Sequence, residues 1–279
     1  CPIILCSATP SLETNYNSQI RRFHKVSLNK RINKSPLPEI KVVDMKSQQK
    51  IISNEMESSI EENFKNKVQT IIYINKRGYT SFVICSKCGF IKYCKNCSST
   101  MVLHNFKKNS SPFFLCHQCN LREEFSNHCE NCNNSNFLKF PGTGIEKVEE
   151  EIKKKFPKIK TSILSSDFLK KTGNYEKILK EISMKKVDLI IGTQLISKGH
   201  NFPNIKTVGI LNIDNLLNDF DFRSNERAFQ QIMQVSGRAG RKNIKGDVII
   251  QTYQPLHPVI KMCKNYKIDE FYSWEINLR

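Results

Sequence analysis

The chain has 279 residues, 39% of them hydrophobic and 25% charged, and its 44 basic and 26 acidic residues give a formal net charge of +18. This length allows one or two domains with a sizeable core, and no run of this sequence approaches the roughly 20 apolar residues of a membrane-spanning helix. The charge predicts a polyanionic partner, most often nucleic acid; because the lysines are spread along the chain, a coding bias toward lysine is the alternative.

The first 20 residues predict a strand, a turn and a helix start. Residues 1–5 form a short apolar run typical of a buried strand, and Ser11 follows Pro10 as a candidate helix N-cap. The chain begins with Cys1 instead of Met, and residues 274–279 read as a helix that is still running. We therefore expect an internal part of a longer protein, or a decayed gene product.

Strands and helices alternate along most of the remaining chain. Apolar strands are predicted at 40–44, 70–74, 161–165, 187–191, 207–213 and 247–252. Helical spacing is found at 53–64, 145–156, 175–182 and from about residue 224. This alternation is typical of an α/β fold in which helices cover a parallel sheet.

Four Cys-x-x-Cys pairs follow the second of these strands. They are Cys85/Cys88, Cys94/Cys97, Cys116/Cys119 and Cys129/Cys132. Each pair directs two sulfurs to one point, and two pairs supply the four thiolates that a structural zinc ion prefers, so eight cysteines predict two Zn²⁺. The alternative is a set of disulfides in a secreted protein. The sequence has no apolar signal segment, and the disulfide alternative would leave Cys1, Cys6 and Cys263 unpaired with the regular set. We therefore expect a cytoplasmic protein with reduced thiols.

Spacing leaves two ways to distribute the pairs between the metals. Neighbouring pairs can share an ion, or the outer pairs can hold one ion and the inner pairs the other. We favour the nested arrangement, because the short links 89–93 and 120–128 suit two small knuckles side by side. The segment 98–115 is long enough for a β-hairpin that closes the inner site. Spacing alone keeps both pairings open.

The run 234–241, Gln-Val-Ser-Gly-Arg-Ala-Gly-Arg, closes the helix that begins near residue 224. Its two arginines, Arg238 and Arg241, are three positions apart among small residues. This pattern suits paired guanidinium groups that reach a phosphate across a cleft, as arginine fingers do. A basic helix end that complements the helix dipole is the alternative.

Several segments together resemble the conserved motifs of superfamily 2 helicases. The run 234–241 is similar to motif VI, 192–203 to motif V, 75–79 to the motif IV region and 7–13 to motif III. With eight cysteines inserted into the second lobe and the run 221–227 before motif VI, the resemblance narrows to the replication-restart helicases.

The resemblance implies an ATP-dependent 3′–5′ DNA helicase that recognises stalled forks and initiates primosome assembly. It implies a RecA-like parallel sheet as the second helicase lobe, with an inserted two-zinc subdomain and the nested pairing. Its cofactors would be two Zn²⁺ together with ATP and Mg²⁺. Its partners would be forked DNA, junctions of single-stranded and duplex DNA, primosome proteins and single-stranded DNA-binding protein, with no membrane contact.

The resemblance also assigns roles by motif position. Arg238 and Arg241 are expected at the γ-phosphate of ATP, and Gln234 at the nucleotide cleft. Ser7 and Thr9 are expected to link the ATP and DNA activities. The other residues expected on the DNA side, or coupling it to ATP, are Lys76, Arg77, Thr193, Lys198 and His200.

The same resemblance divides the chain into five parts. They are the end of the first helicase lobe (1–20), the start of the second (21–84), the zinc insert (85–132), the rest of the second lobe (133–260) and the start of a truncated C-terminal region (261–279).

No Gly-x-x-x-x-Gly-Lys-Ser/Thr loop occurs in the sequence, and no acidic Mg²⁺ motif precedes Ser7, so we expect residues 1–279 alone not to hydrolyse ATP. Two other functions stay open: an inactive, zinc-stabilised module that binds DNA or primosome proteins, and a zinc protein unrelated to DNA.

Overall fold

The computed structural model describes residues 3–28, 36–46, 48, 50–75, 82–104, 111–135, 138–139, 144–166, 168–169, 174–197, 202–219, 221–240 and 245–279. Its α-helices are α1 (Leu12–Gln19), α2 (Asn54–Lys65), α3 (Ile145–Lys155), α4 (Tyr175–Ser183), α5 (Asp214–Leu217), α6 (Ser224–Ser236), α7 (Pro258–Lys264) and α8 (Ile268–Leu278).

The strands of the main sheet are β1 (Glu39–Asp44), β2 (Gln69–Ile74), β8 (Thr161–Leu164), β9 (Leu189–Gly192), β10 (Ile205–Leu211) and β11 (Asp247–Thr252). The shorter strands are β3 (Ile84–Cys85), β4 (Val102–His104), β5 (Phe113–Leu115), β6 (Arg122–Glu124) and β7 (Leu138–Lys139).

The main sheet has six strands in the order β1-β11-β10-β2-β9-β8, and every pairing is parallel. All residues of β2 are buried, as expected for an interior strand with helices on both sides. The predicted parallel α/β fold is therefore confirmed, and the described α/β part forms three layers.

Successive side chains of the strands point to opposite faces of the sheet and pack into two hydrophobic cores. Ile71, Val208 and Ile250 face the layer made by α4, α6, α7 and α8, where the rings of Phe229 and Phe271 stack with centroids 3.9 Å apart. The opposite face of the sheet packs against α2 and α3. This two-sided burial explains why the strands read as continuous apolar runs.

Helix starts follow the local capping signals. The hydroxyl of Ser11 accepts a hydrogen bond from the backbone N–H of Thr14, and Ser53 does the same for Met56. These contacts satisfy donors that the first helical turn leaves open. The cap predicted at Ser11 is therefore confirmed, and Ser53 caps the helix predicted at 53–64.

The strand predicted at residues 1–5 is wrong for the part that the structure describes. Ile3, Ile4 and Leu5 are exposed and belong to no strand. An apolar run becomes a strand only where a neighbouring strand accepts its backbone hydrogen bonds, and the described residues offer none at this place. Residues 1 and 2 lie outside the described part.

The cysteine-rich insert has its own small sheets. Strands β4, β5 and β6 form an antiparallel sheet, and β3 pairs with β7. The β4–β5 hairpin is the one predicted between Cys97 and Cys116. None of the helices in the described ranges is long and apolar enough to cross a bilayer.

Candidate functional site

The four Cys-x-x-Cys pairs fold into four copies of one knuckle. In each, the carbonyl of the first cysteine accepts a hydrogen bond from the N–H four residues later, at 2.8 or 2.9 Å. The N–H of that cysteine donates to the carbonyl five residues later, at 2.7–3.1 Å. The residue four positions after the first cysteine, which directly follows the second cysteine, has a positive φ in every copy: Gly89, Ser98, Asn120 and Asn133. Glycine and asparagine tolerate this left-handed conformation best, and three of the four positions have one of them.

The knuckles bring eight sulfurs into two groups of four. Cys85, Cys88, Cys129 and Cys132 form the outer cluster, and Cys94, Cys97, Cys116 and Cys119 form the inner cluster. Ligand atoms within each cluster lie within 4.8 Å of one another. The nested grouping favoured from spacing is thus the one that the structure contains.

Sulfur spacing tests whether each cluster fits a zinc ion. Four sulfurs at about 2.3 Å from a tetrahedral zinc lie about 3.8 Å apart. Outer-cluster sulfurs are separated by 3.7 Å (Cys85–Cys132) and 3.6 Å (Cys88–Cys129). Inner-cluster sulfurs are separated by 3.4–3.8 Å. Both clusters are compatible with Zn²⁺.

Local hydrogen bonds set unequal acidities among these thiols. Burial raises the pKa of Cys85 to about 12. Burial also opposes ionisation of Cys88, but hydrogen bonds from the Asn131 side chain and the Phe90 backbone lower its pKa to about 6. A hydrogen bond from the Ser99 side chain is the main cause that lowers the pKa of Cys97 to about 6. Cys88 in the outer cluster and Cys97 in the inner cluster therefore ionise more readily than a free thiol, and the thiolate is the form that binds a metal.

A buried lysine joins the two clusters. Lys92 lies between the outer knuckle 85–90 and the inner knuckle 94–99, and its ammonium pairs with Glu123 at 2.8 Å and with Glu130. Its Nζ also lies 5.4 Å from the ring centroid of Phe114. These contacts connect the segment between the first two knuckles to β6 and to the knuckle that begins at Cys129.

The insert is seated on the carboxyl edge of the main sheet. The Thr100 hydroxyl donates to the carbonyl of Asn218, beyond β10, at 3.0 Å. A Cβ at Gly89 would lie 3.1 Å from the carbonyl oxygen of Tyr253, just after β11, so the outer knuckle closely approaches this backbone. The cysteine clusters and the loops at the strand ends therefore share one edge.

The segment that resembles motif III is docked on α6 and α8. Gln234 Nε2 donates to Thr9 Oγ1 at 3.1 Å, and Thr9 is buried. The carbonyl of Pro10 accepts from Gln230 Nε2 at 3.2 Å and from the Tyr272 hydroxyl at 2.7 Å. Ser7 is exposed, and its hydroxyl accepts from the N–H of Thr9 at 3.1 Å.

Glu226 anchors the same segment from within α6. One carboxylate oxygen accepts from the N–H of Leu12 at 3.0 Å, and the other accepts from Arg279 at 2.8 Å. Arg279 also pairs with Glu275 at 3.2 Å. Burial raises the pKa of Glu275, while its bond with Arg279 counteracts that effect. Sequence reasoning missed this network, because nothing along the chain signals contacts across more than 200 residues.

The motif V-like segment follows β9. Thr193 is buried, and its N–H donates to the carbonyl of Leu164 at 3.3 Å, while its own carbonyl accepts from the N–H of Ile196 at 3.0 Å. These bonds start the 3₁₀ helix Gln194–Ser197 directly at the strand end. Lys198 and His200 lie outside the described residues, as do Lys76 and Arg77 of the motif IV-like loop.

The motif VI-like segment leaves the end of α6. Arg238 is half-buried, and its N–H donates to the carbonyl of Val235 at 3.0 Å. Gly240 has φ +70° and donates its N–H to the carbonyl of Ile205, at the start of β10. The structure thus brings Gln234 together with Thr9 and fixes the chain around Arg238 to the sheet. Arg241 lies outside the described residues.

Comparison with known proteins gives one consistent result. The family "Helicase conserved C-terminal domain" matches residues 125–243. "Replication restart protein PriA" of Bacillus subtilis is 38% identical over 99% of this chain, which covers 34% of that protein. The Rickettsia felis protein of that name is 37% identical over 99% of this chain, which covers 43% of that protein. The Synechocystis protein of that name is 38% identical over 100% of this chain, which covers 34% of that protein.

Solved structures resemble the chain at low sequence identity. Saccharomyces cerevisiae Dbp5 bound to RNA and ADP BeF3 has a TM-score of 0.41 at 11% identity, with 95% of this chain and 48% of that one covered. The Pyrococcus furiosus Hef helicase domain has a TM-score of 0.32 at 13% identity, with 71% and 24% covered. The sequence comparisons establish the relationship: the chain is a homologue of the replication restart protein PriA, and it spans between 34% and 43% of the length of those relatives.

Proposed function

We propose that this chain is the second motor lobe and zinc insert of a replication-restart helicase, which uses ATP to unwind DNA 3′ to 5′ at stalled forks and initiates primosome assembly. The observation that carries the proposal is the identity of 36–38% to several PriA proteins along practically the whole chain. The division into parts at residues 20, 84, 132 and 260 belongs to this proposal.

In the proposed mechanism, ATP bound with Mg²⁺ would supply the phosphoryl group, and the metal would neutralise part of its charge. Arg238 and Arg241 would bring positive charge to the γ-phosphate, and Gln234 would lie at the nucleotide cleft. The bond from Gln234 to Thr9 supports a coupling role, because it joins the motif VI-like segment at the end of α6 to the motif III-like segment. A movement of the Gln234 side chain would then act on Thr9 through this bond.

Zinc would have a structural role in each cysteine cluster. Four thiolates close the tetrahedron, which leaves no open position for a water nucleophile. The knuckle hydrogen bonds and the Lys92 bridges orient the ligands. The zinc insert would then be a rigid surface beside the strand-end loops.

Those strand-end loops form the proposed DNA side. Thr193, Lys198 and His200 follow β9, and Lys76 and Arg77 follow β2. The two strands are direct neighbours in the sheet. Loops at the carboxyl ends of adjacent parallel strands lie at one edge, which supports a shared contact with a DNA strand. Partners of the whole protein would be forked DNA, primosome proteins and single-stranded DNA-binding protein, in the cytoplasm.

A chimera tests the proposal. Residues 1–279 replace the aligned stretch of the Bacillus subtilis relative, and DNA-stimulated ATP hydrolysis and 3′–5′ unwinding are measured. We expect an active chimera, and we expect Arg238→Ala to lower hydrolysis by about 10³-fold or more, the range of arginine fingers. Residues 1–279 alone should show no DNA-stimulated hydrolysis.

The matched control is Arg227→Ala, on α6 itself, where Arg227 pairs with Asp221 at the protein surface. This variant should retain hydrolysis within a few-fold. A folded, zinc-loaded chimera that binds DNA without hydrolysing ATP would favour the inactive binding module. Equal activity of wild-type and Arg238→Ala chimeras would remove Arg238 from the ATP site.

A further inference from the structure

Two histidines of the insert meet outside both cysteine clusters. His104 ends β4, and His117 lies between the inner-cluster ligands Cys116 and Cys119. Their Nε2 atoms are 3.1 Å apart, and their ring centroids are 5.0 Å apart. His104 is half-buried and His117 is exposed, so the pair is open to solvent.

Both rings are positioned by the fold. His104 is paired in register with Phe113 of β5, and the two rings stack with centroids 5.6 Å apart and planes 17° from parallel. His117 belongs to the knuckle in which the N–H of Asn120 donates to the carbonyl of Cys116 at 2.9 Å. One imidazole is thus held by a strand and the other by a knuckle, which lowers the entropic cost of bringing them together.

We propose that His104 and His117 form a third metal site, which takes an exchangeable late first-row divalent cation such as Zn²⁺ or Ni²⁺. Imidazole nitrogen binds such ions at about 2.0–2.1 Å. Two nitrogens 3.1 Å apart then subtend an angle of roughly 98° at the metal. This angle lies between the 90° of square-planar or octahedral sites and the tetrahedral angle, so both nitrogens can bind one ion, with water completing the coordination shell.

The charges around the pair permit a cation. Phe113 is also in register with Glu124 of β6, so His104, Phe113 and Glu124 form one row on the same face of the small sheet. Arg122, two residues before Glu124, places its guanidinium 3.6 Å from the Phe113 ring centroid. The acidic and basic side chains on β6 therefore offset one another beside the site.

A zinc titration of the purified 279-residue chain, with both cysteine clusters loaded, tests the site. Calorimetry should show one further Zn²⁺ bound more weakly than the two cysteine-held ions. His104→Ala and His117→Ala should each weaken this binding at least tenfold, while His24→Ala, an exposed histidine outside the insert, should leave it unchanged. With ¹¹³Cd²⁺ as a probe, two sulfur-type resonances and one nitrogen/oxygen-type resonance are expected.

A chelator assay separates this proposal from the two-zinc proposal. Loss of a cysteine cluster lowers the number of ions that resist the chelator below two. Loss of the histidine site removes only the binding of the third, more weakly held ion. Because His117 flanks two cysteine ligands, His104→Ala is the decisive variant if His117→Ala releases a tight ion. Saturation at two ions per chain, or a third ion indifferent to His104→Ala, would overturn the proposal and leave a simple hydrogen bond between the rings.

Discussion

Gln234 Nε2 donates a hydrogen bond to Thr9 Oγ1 at 3.1 Å, across 225 positions of the sequence. The bond joins the segment that resembles motif VI to the one that resembles motif III. Next to it, Tyr272 and Gln230 both donate to the Pro10 carbonyl, and Glu226 accepts from the N–H of Leu12. Residues 9–12 are therefore held by side chains of α6 and α8 instead of by a strand partner.

Removing one of these bonds should loosen α1. Tyr272→Phe deletes the hydroxyl that donates to Pro10 at 2.7 Å and should cost about 1 kcal/mol of unfolding free energy. Amide hydrogen exchange of residues 12–19 should accelerate. Tyr266→Phe is the matched control, because its hydroxyl donates to the Pro38 carbonyl at 2.7 Å, far from α1. Faster exchange of α1 in both variants, or in neither, would contradict this docking.

The nested clusters predict how single cysteine changes affect metal content. Wild-type protein should contain two tightly bound Zn²⁺. Cys94→Ser should release the inner ion and leave the ion of Cys85, Cys88, Cys129 and Cys132 in place. Cys129→Ser should have the converse effect. Elemental analysis gives the stoichiometry, and ¹¹³Cd resonances show which ion remains. If Cys129→Ser empties the site of Cys116 and Cys119, neighbouring pairs share the metals.

Two sheet glycines should differ sharply on substitution by alanine. A Cβ at Gly192 would lie 2.3 Å from the backbone oxygen of Leu164, so β8 and β9 would have to separate. We expect a loss of about 3 kcal/mol or more. A Cβ at Gly209 would meet the end of the Met56 side chain at 2.8 Å, and methionine can move aside, so about 1 kcal/mol is expected. Urea unfolding compares the two, and equal losses would refute the difference in contacts.

His257 should make the fold sensitive to mild acid. The residue is half-buried, and burial lowers the pKa of His257 from 6.5 to about 4. Between these values the unfolded chain binds more protons than the folded one, so stability is full above pH 6.5 and is lost as the pH falls toward 4. His257 Nδ1 accepts from the Val259 N–H, and Asn at this position can retain that cap.

His257→Asn should therefore show a shallower loss of unfolding free energy than wild type between pH 7 and pH 5, measured by denaturant titration. Asp214 has the opposite effect, because burial raises its pKa from 3.8 to about 6, so its contribution declines as pH rises through that window. Asp214 is present in both proteins, so the difference between them isolates His257. Parallel stability curves would show that His257 does not titrate on unfolding.

DNA binding should be electrostatic and independent of sequence. Residues 1–279 carry a net charge of +18, and the proposed contacts of the strand-end loops with phosphates would release counterions. We expect affinity for unrelated DNA sequences to be similar and to fall steeply as salt increases, as measured by fluorescence anisotropy. Lys76→Ala with Arg77→Ala should weaken binding and lower the salt slope, whereas exposed Lys267→Ala should not. An affinity that is indifferent to salt would support the coding-bias explanation of the charge.

The sequence by itself determined the parallel α/β fold and the presence of two four-sulfur clusters. Apolar strands such as 70–74 alternate with amphipathic helices, and local patterns of this kind reflect burial directly. The Cys-x-x-Cys spacing specifies a knuckle by local geometry alone, as the four repeated hydrogen-bond patterns show. Ser11 and Ser53 likewise cap the helices that directly follow them.

Tertiary structure alone decided which knuckles meet and which polar groups are partnered. Spacing favoured the nested pairing and the β4–β5 hairpin but kept the neighbouring pairing open, and the folded insert decided between them. Residues 3–5 are apolar yet exposed, because a strand requires a partner strand. The pairs His104–His117 and Glu226–Leu12 arise only when distant segments are brought together by the burial of the faces that surround them.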